Sequence, residues 1–260
     1  MNIIIVFFIM FFLGILLYEP IYYYYMKNIV EGNCENGQLV NTFSPWCEII
    51  KLHKEIIFPI TISEVIRHCN DESKIRVSGA AHSNLGVVIG DDDDDKTAVI
   101  SLTNMDLSGP WEKWMLKNTI TDNKIRVEAG KSFKDLYKVI RPQNYFLPTQ
   151  TAGGFFTIGG VIQGPVHGGV FGKGMINEYV TGLLVIDKNN HNSTWEVREI
   201  PDIELKHWRC SFGSLGIILA VEFELEYRIN FEIKTISDNV DLTEDNFKEY
   251  ITKIENNHKY

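Results

Sequence analysis

The hydrophobic pattern begins with one long apolar run. Residues Ile3 to Leu17 are apolar without interruption, Glu19 and Pro20 break the run, and Ile21 to Met26 continue it with four tyrosines. Fifteen apolar residues are short for a membrane span of about 20. Adding the tyrosine segment reaches that length and places tyrosines at the interface. We therefore predict a transmembrane signal anchor over residues 1–26. A cleaved signal peptide is the alternative, but the segment lacks a basic start and a clear small-residue cleavage site.

After a polar linker over residues 27–53, short apolar strands alternate with helical patterns. Helices are predicted after Thr61, where Glu64 completes a capping box, after Ser132, and after Thr243. Pro142 is expected to end the second helix. Strands are predicted at Glu55–Pro59, Lys74–Ser78, Ala98–Leu102, Ile125–Ala129, Glu178–Ile186, Thr194–Glu199 and Ile217–Ile229. This mixture predicts an α+β fold.

Composition and charge narrow the function classes. Apolar residues make up 45% of the chain, which indicates a globular protein, and the formal charge is −9. Because no basic stripe is present, we expect no binding to nucleic acid. The four cysteines contain no C-x-x-C spacing and the acidic run Asp91–Asp95 is typical of a solvated loop, so no metal site is predicted. Cys34 and Cys47 could pair in an oxidising compartment, or all four thiols could be unpaired.

Three glycine-bearing segments suggest a phosphate-containing ligand. They are Arg76–Ser83, the glycine-rich stretch Leu147–Gly169 and Phe212–Ile218. Small residues let the backbone approach a ligand, and successive N–H groups can hold an anion without side-chain cations. The spacing matches neither the dinucleotide-binding G-x-G-x-x-G pattern nor the Walker A motif. Taken singly, each segment could also be a turn that packs on itself.

Taken in order, the segments resemble the FAD-binding domain of the p-cresol methylhydroxylase and vanillyl-alcohol oxidase family. The resemblance covers about residues 56–227. Its motifs are a G-x-x-H-S loop, a strand that ends in alanine-glycine, a T-x-G-G segment followed by H-G, and a final G-x-x-G-[IV]-[IV], here Gly79–Ser83, Val127–Gly130, Thr157–Gly160 with His167-Gly168, and Gly213–Ile218. It implies a two-lobed FAD-binding domain of the p-cresol methylhydroxylase type, which we place at residues 54–230.

The resemblance also implies which residues hold FAD between the two lobes. The first loop would contribute Gly79, Ala80, Ala81, His82 and Ser83; the second would contribute Thr151, Gly154, Thr157, Gly159 and Gly160, with His167 in support; the third would contribute Gly216 and Ile217. In several relatives the histidine at the position of His82 bonds covalently to the 8α carbon of the flavin. The alternative is a histidine that only lines the pocket.

Residues 231–260 resemble the start of a truncated substrate domain. The catalytic residues of relatives come largely from that domain, so none is assigned here. We expect an FAD-dependent oxidoreductase that acts on a small CH–OH donor such as a sugar lactone or sugar alcohol, in a single-pass membrane protein. A partner chain could supply the substrate domain. The alternative is a membrane-anchored flavin-binding fragment without turnover, and the related peptidoglycan precursor reductase fold fits the motifs less well.

Overall fold

The computed structural model describes residues 56–71, 74–80, 82, 97–170, 172–189, 193–227 and 243–257. The predicted transmembrane anchor at residues 1–26, the linker, the acidic run, Ala81 and Ser83 lie outside these residues. Within the described ranges, no helix is both long enough and apolar enough to cross a membrane.

The first sheet is parallel and has three strands. These are β1 (Ile56–Ile57), β2 (Lys74–Ser78) and β3 (Thr97–Ser101), in the order β1-β3-β2. Helix α1 (Ile62–Asp71) makes the crossover between β1 and β2 that parallel strands require. Its predicted capping box is present, because Glu64 N–H donates to the Thr61 hydroxyl and the Glu64 carboxylate accepts from Thr61 N–H. Backbone hydrogen bonds from Ile60 and Thr61 lower the pKa of Glu64.

The second sheet is antiparallel and has four strands, and a separate antiparallel pair follows it. Their bounds are β4 (Lys124–Glu128), β5 (Tyr145–Phe146), β6 (Val180–Lys188), β7 (Trp195–Glu199), β8 (Ile217–Glu224) and β9 (Glu226–Tyr227). The four strands of the sheet have the order β4-β8-β6-β7, and the separate pair joins β5 to β9. The register places Val127 of β4 opposite Val221 of β8, and the β6–β8 pairing contains two irregularities.

Four further helices complete the described part of the fold. They are α2 (Phe133–Ile140), α3 (Ile158–Ile162), α4 (Asp202–Trp208) and α5 (Glu244–Asn257), with 3₁₀ turns at Gly109–Trp114, Arg141–Gln143 and Ile176–Tyr179. The apolar face of α2 is buried, with Phe133, Leu136 and Ile140 fully inside the core. Ser132 and Asp135 form a capping box at its start.

The two sheets are joined by close packing. Helix α1 lies against β2 of the parallel sheet and also against β7 of the antiparallel sheet. At the end of β4, a side chain on Gly130 would overlap the Leu102 carbonyl, which lies just after β3. Glycine therefore brings the ends of β3 and β4 together. Mixed helices and strands in two sheets of different type agree with the α+β prediction.

Several elements differ from the sequence prediction, and strand β5 is one that was not predicted. The strand predicted over Ile217–Ile229 ends at Glu224, because the buried Leu225 turns its N–H to Asn123 and the chain then pairs with β5 as β9. Helix α3 lies in the glycine-rich stretch, where no helix was predicted, since its buried apolar side chains outweigh the low helix propensity of two glycines. Helix α4 was not predicted.

Candidate functional site

A cleft of about 1340 Å³ opens among the ends of the two sheets, and all three glycine segments line it. Its position follows from the strand order, since β2 and β3 end at one wall while β4 and β8 reach the other. The structure brings together eight of the predicted site residues in its lining: Gly79, Ala80, His82, Thr157, Gly159, Gly160, Gly216 and Ile217.

Three predicted residues lie outside this lining. The Thr151 hydroxyl donates to the Gly153 carbonyl within the loop, and the Gly154 carbonyl accepts from Lys134 N–H at the start of α2. His167 is exposed and its Nδ1 lies 2.9 Å from the Gly168 carbonyl. Their contacts therefore support the loop rather than face the cleft.

The first and second glycine segments touch at Gly79. A methyl group on this residue would overlap the hydroxyl of Thr157, which is itself buried. The absence of a side chain thus lets the end of β2 approach the start of α3. Such a contact brings the end of the parallel sheet and the start of α3 to one point of the cleft, where backbone N–H groups can approach a pyrophosphate.

The segment 153–160, which we call the shelf, is tied by its backbone to the turn between β4 and α2. Phe133 N–H donates to the Phe156 carbonyl at 3.0 Å, and Ile158 N–H donates to the Lys131 carbonyl at 2.9 Å. Gly159 N–H donates to the Ala129 carbonyl at 2.8 Å, and its Cβ position lies only 3.0 Å from the Ala129 side chain. The N–H of Gly159 is therefore used within the fold, and its contribution to the cleft is the bare Cα surface.

Gln163 connects the second glycine segment to the third. Its side-chain oxygen accepts from the Ser211 hydroxyl and from Gly213 N–H, both at 2.7 Å, and its carbonyl accepts from Phe212 N–H. The connected loop is strained, since Phe212 has a φ of 53°. At its end, the Cβ position of Gly216 lies 2.5 Å from the Ile186 carbonyl, so a side chain would push the third segment away from β6.

His82 faces the shelf from the parallel sheet. Its Nδ1 lies 2.6 Å from the Ala80 carbonyl, and its ring centroid lies 4.8 Å from that of Phe155 and 4.7 Å from that of Phe156. Burial lowers the pKa of His82, and the bond to Ala80 opposes this shift only in part. The lowered pKa favours the neutral imidazole, which is the form that can act as a nucleophile.

The charges of the cleft lie mostly beside β6, β7 and α4. Arg198 donates to Asp187 at 2.7 Å and to Glu204 at 2.9 Å, so these side chains compensate one another. Where Gly79 meets Thr157, backbone groups and a hydroxyl group are present, and the lack of a side chain on Gly79 lets a ligand approach the backbone. These features fit an extended dinucleotide cofactor whose phosphates are bound by neutral donors.

Among the residues that sequence reasoning missed are Phe155, Phe156 and Gln163. Phe155 and Phe156 pack on His82, and Gln163 fixes the third segment. The position of the two phenylalanines between Gly153-Gly154 and the T-x-G-G motif was a usable signal for the aromatic pair. The role of Gln163 depends on partners nearly 50 residues away, which no local pattern indicates.

Comparison with known proteins gives the family. The family model described as FAD binding domain matches residues 60–191, just over half of the 260 residues. No curated protein sequence matches.

Solved structures match the fold at low identity. Cholesterol oxidase from Brevibacterium sterolicum has 18% identity and a TM-score of 0.61 over 75% of this chain and 39% of its own. A solvent-stable cholesterol oxidase has 17% identity and a TM-score of 0.59 over 75% and 39%. Alkyldihydroxyacetonephosphate synthase has 17% identity and a TM-score of 0.53 over 68% and 31%. The chain thus spans 39% of the length of cholesterol oxidase and 31% of the length of the synthase.

The glycine motifs, the cleft and the family match all indicate the same cofactor, FAD. The matched range contains the first two glycine segments together with the shelf, and the structural matches share the fold. The chain therefore belongs to the FAD binding domain family of the p-cresol methylhydroxylase and vanillyl-alcohol oxidase type, and its cofactor is FAD.

Proposed function

We propose that this chain is the FAD-binding part of an oxidoreductase that acts on a CH–OH donor such as a sugar lactone or sugar alcohol. The observation that carries the proposal is the junction of the first two glycine segments at Gly79 and Thr157, beside a neutral histidine. When bound, FAD supplies the hydride acceptor, and the protein supplies its position and surroundings.

Residues on three sides of the cleft would hold the cofactor. Gly79, Thr157 and Gly160 would lie at the pyrophosphate, because the contact between the two segments excludes side chains there. Gly216 and Ile217 would contact the cofactor from the third segment. His82 lines the same cleft and would lie at the flavin.

His82 is also the candidate for a covalent bond to the flavin 8α carbon. Such a bond replaces one C–H of the flavin methyl group and one N–H of the imidazole by a C–N bond. The two electrons and two protons pass to an acceptor, for which dioxygen suffices. The lowered pKa of His82 supports this role, since a protonated imidazole has no lone pair to donate.

Acid precipitation of the purified full chain tests the cofactor and the bond together. We expect a yellow protein whose flavin absorption stays with the pellet, and release of the flavin into the supernatant for His82→Ala. Flavin released from the wild-type chain would retain FAD as cofactor and eliminate the covalent bond. A folded chain that stays colourless after incubation with FAD would contradict the proposed function.

Reduction by candidate donors tests the substrate class. The loaded chain would be mixed anaerobically with sugar lactones, sugar alcohols and cholesterol, and bleaching of the flavin band would be followed. Cholesterol is included because two structural neighbours are named cholesterol oxidases. Bleaching by a sugar lactone or sugar alcohol is the expected result. Bleaching by the sterol alone would retain the CH–OH chemistry and reject the sugar donor.

Residues 1–26 would tether the domain to a membrane, and a further segment or partner chain would close the substrate side. The apolar run Ile3–Leu17 supports the tether. Recovery of the full chain in the membrane fraction after a carbonate wash is expected. Recovery in the supernatant would contradict the tether.

The alternative is a membrane-anchored flavin-binding fragment without turnover of its own. The structural match, which covers 39% of cholesterol oxidase, is the observation that favours this alternative. Photoreduction of the bound flavin without reduction by any CH–OH donor would support this alternative.

A further inference from the structure

The loop between α4 and β8 has an unusual backbone. Cys210, Phe212 and Gly213 have φ angles of 59°, 53° and 74°, a left-handed region that residues with side chains rarely adopt. Residues 212–215 are exposed, so apolar burial does little to hold the loop in place. A backbone of this kind persists only where neighbouring groups fix it. The contacts of the loop therefore determine where the third glycine segment lies.

Gln163, which directly follows α3, contacts this loop with both ends of its side-chain amide. Its Oε1 accepts from the Ser211 hydroxyl and from Gly213 N–H, both at 2.7 Å. Its Nε2 donates to the Trp208 carbonyl at 3.4 Å. A backbone N–H only donates and a carbonyl oxygen only accepts, so these partners fix the orientation of the amide. The position thus uses an acceptor and a donor at the end of one side chain, which glutamine supplies.

The backbone at the end of α3 adds two further hydrogen bonds to the same loop. Cys210 N–H donates to the Ile162 carbonyl at 3.1 Å, and Phe212 N–H donates to the Gln163 carbonyl at 3.2 Å. The cysteine and the phenylalanine with left-handed backbone are thus both tied to the end of α3. Helix α3 and the loop are therefore connected directly, and the side chain of Gln163 is the part of the connection that a substitution can remove.

Helix α3 and the loop reach two different parts of the cleft. At the start of α3, Thr157 meets Gly79 at the proposed pyrophosphate position. The loop leads to Gly216, whose Cβ position lies beside the Ile186 carbonyl of β6. An extended FAD with its flavin at His82 and its pyrophosphate at Gly79 would therefore have its adenosine half at Gly216.

We propose that Gln163 is a positioning residue that holds the third glycine segment against α3 and thereby determines the affinity of the cleft for the adenosine half of FAD. This inference rests on the proposed function, in which FAD lies across the three glycine segments. Gln163 itself lines the cleft, whereas Ser211 lies outside the lining in the described part of the chain. A change at Ser211 would therefore reach a bound cofactor through the loop rather than by direct contact.

Titration of the full chain with FAD and with FMN tests the inference, because FMN has the flavin and one phosphate but lacks the adenosine half. Gln163→Met keeps the length of the side chain and removes the amide. It should weaken FAD binding by about tenfold, while the FMN affinity changes by less than about twofold. The ratio of the two affinities should therefore fall, whereas a general loss of stability would lower both affinities alike.

Ser211→Ala is the second variant, and it removes one of the two donors to the Gln163 side-chain oxygen. It should weaken FAD binding by about threefold. If both residues act through their shared hydrogen bond, the double variant should bind FAD about as tightly as Gln163→Met alone. Additive losses would overturn the proposal, because Ser211 would then act independently of Gln163.

Gln143→Met is the matched control. Gln143 is also half-buried, its Nε2 donates to the Val139 carbonyl of α2, and it lies outside the described lining of the cleft. Both affinities of this variant should stay within about twofold of the wild-type values. A fall in the FAD-to-FMN ratio as large as that of Gln163→Met would overturn the proposal, because the effect would then not depend on the loop.

Hydrogen exchange measured without FAD separates this inference from the proposed function. In Gln163→Met, a peptide over residues 209–216 should exchange at least about fivefold faster, because Gly213 N–H loses its acceptor, while peptides of β8 keep their rate. Unchanged exchange in the loop, or an unchanged FAD-to-FMN ratio in a wild-type chain that binds FAD, would overturn this inference alone. A wild-type chain that binds neither ligand would overturn the proposed function, and the role of Gln163 in cofactor binding with it.

Discussion

Solvent exposure differs greatly between strand β8, which lies inside the antiparallel sheet, and strand β2, which lies at the edge of the parallel sheet. Six of the eight residues of β8 are buried, whereas four of the five residues of β2 are at least partly exposed. The antiparallel sheet also carries the shelf through the turn between β4 and α2. The parallel sheet contributes the strand end at Gly79 and the ring of His82.

This difference indicates that one sheet mainly stabilises the fold, whereas the other mainly shapes the cofactor cleft. Burial on both faces of β8 makes the antiparallel half the main source of folding free energy. The cleft then depends on a few close contacts through which the more exposed β2 reaches the shelf. Substitutions in the antiparallel sheet should therefore destabilise the fold. Substitutions at the contacts between β2 and the shelf should weaken FAD binding.

The largest expected effect is the removal of a core ring from β8. Phe223 is fully buried, so Phe223→Ala should lower the free energy of unfolding by about 3–5 kcal/mol. Val77 of β2 is 42% exposed, and Val77→Ala should cost less than about 1 kcal/mol. Urea unfolding of the two variants measures the difference. Equal losses would mean that the two sheets contribute equally.

The next effect concerns the contact between the halves. Gly79→Ala should weaken FAD binding by roughly tenfold or more with little loss of stability, because the methyl group would overlap the Thr157 hydroxyl. Fluorescence titration with FAD measures the change. Gly169→Ala is the control, since no atom lies within 4 Å of its Cβ position. Wild-type affinity in Gly79→Ala would show that the approach is not needed.

A smaller effect is expected at the support of the shelf. The Ser132 hydroxyl accepts from Asp135 N–H at 3.2 Å and caps α2. Ser132→Ala should cost about 1 kcal/mol of folding free energy, and Ser132→Asp, which preserves an acceptor, should cost less. Thermal unfolding followed by circular dichroism compares the two. A loss from Asp as large as that from Ala would argue against the cap.

The smallest effect is a dependence on pH. Burial lowers the pKa of His82, so the unfolded chain binds a proton at a higher pH than the folded chain. This contribution to stability is complete above the ordinary pKa of about 6.5 and decreases as the pH falls below it. His82→Gln should reduce the loss of unfolding free energy between pH 7.5 and pH 5.5. An identical loss in both chains would contradict the shift.

Sequence patterns predicted the elements whose signals are local. The capping residues Thr61 and Ser132, the strand Lys74–Ser78 and the glycine motifs all lie where the pattern indicated. Helix α3 was missed because its stability comes from tertiary burial of Ile158 and Val161, which offsets its glycines.

The same limit applies to the site. Eight predicted residues line the cleft; four of them are glycines, which are visible in the sequence as bare backbone, and the resemblance implied the other four. The contact between Phe155, Phe156 and His82 joins residues more than 70 positions apart, so it required the fold. Thr151 and Gly154 lie in the same glycine-rich stretch, but the Thr151 hydroxyl bonds within the loop and the Gly154 carbonyl bonds to α2.

The most direct test of the account compares the affinities of the full chain for FAD and for riboflavin by fluorescence titration. Riboflavin has the same ring system but no pyrophosphate or adenosine. If the contact between Gly79 and Thr157 forms the pyrophosphate site, FAD should bind at least about 100-fold more tightly than riboflavin, and Gly79→Ala should reduce that ratio. Equal affinities of the wild-type chain for both ligands would contradict the assignment of the cleft.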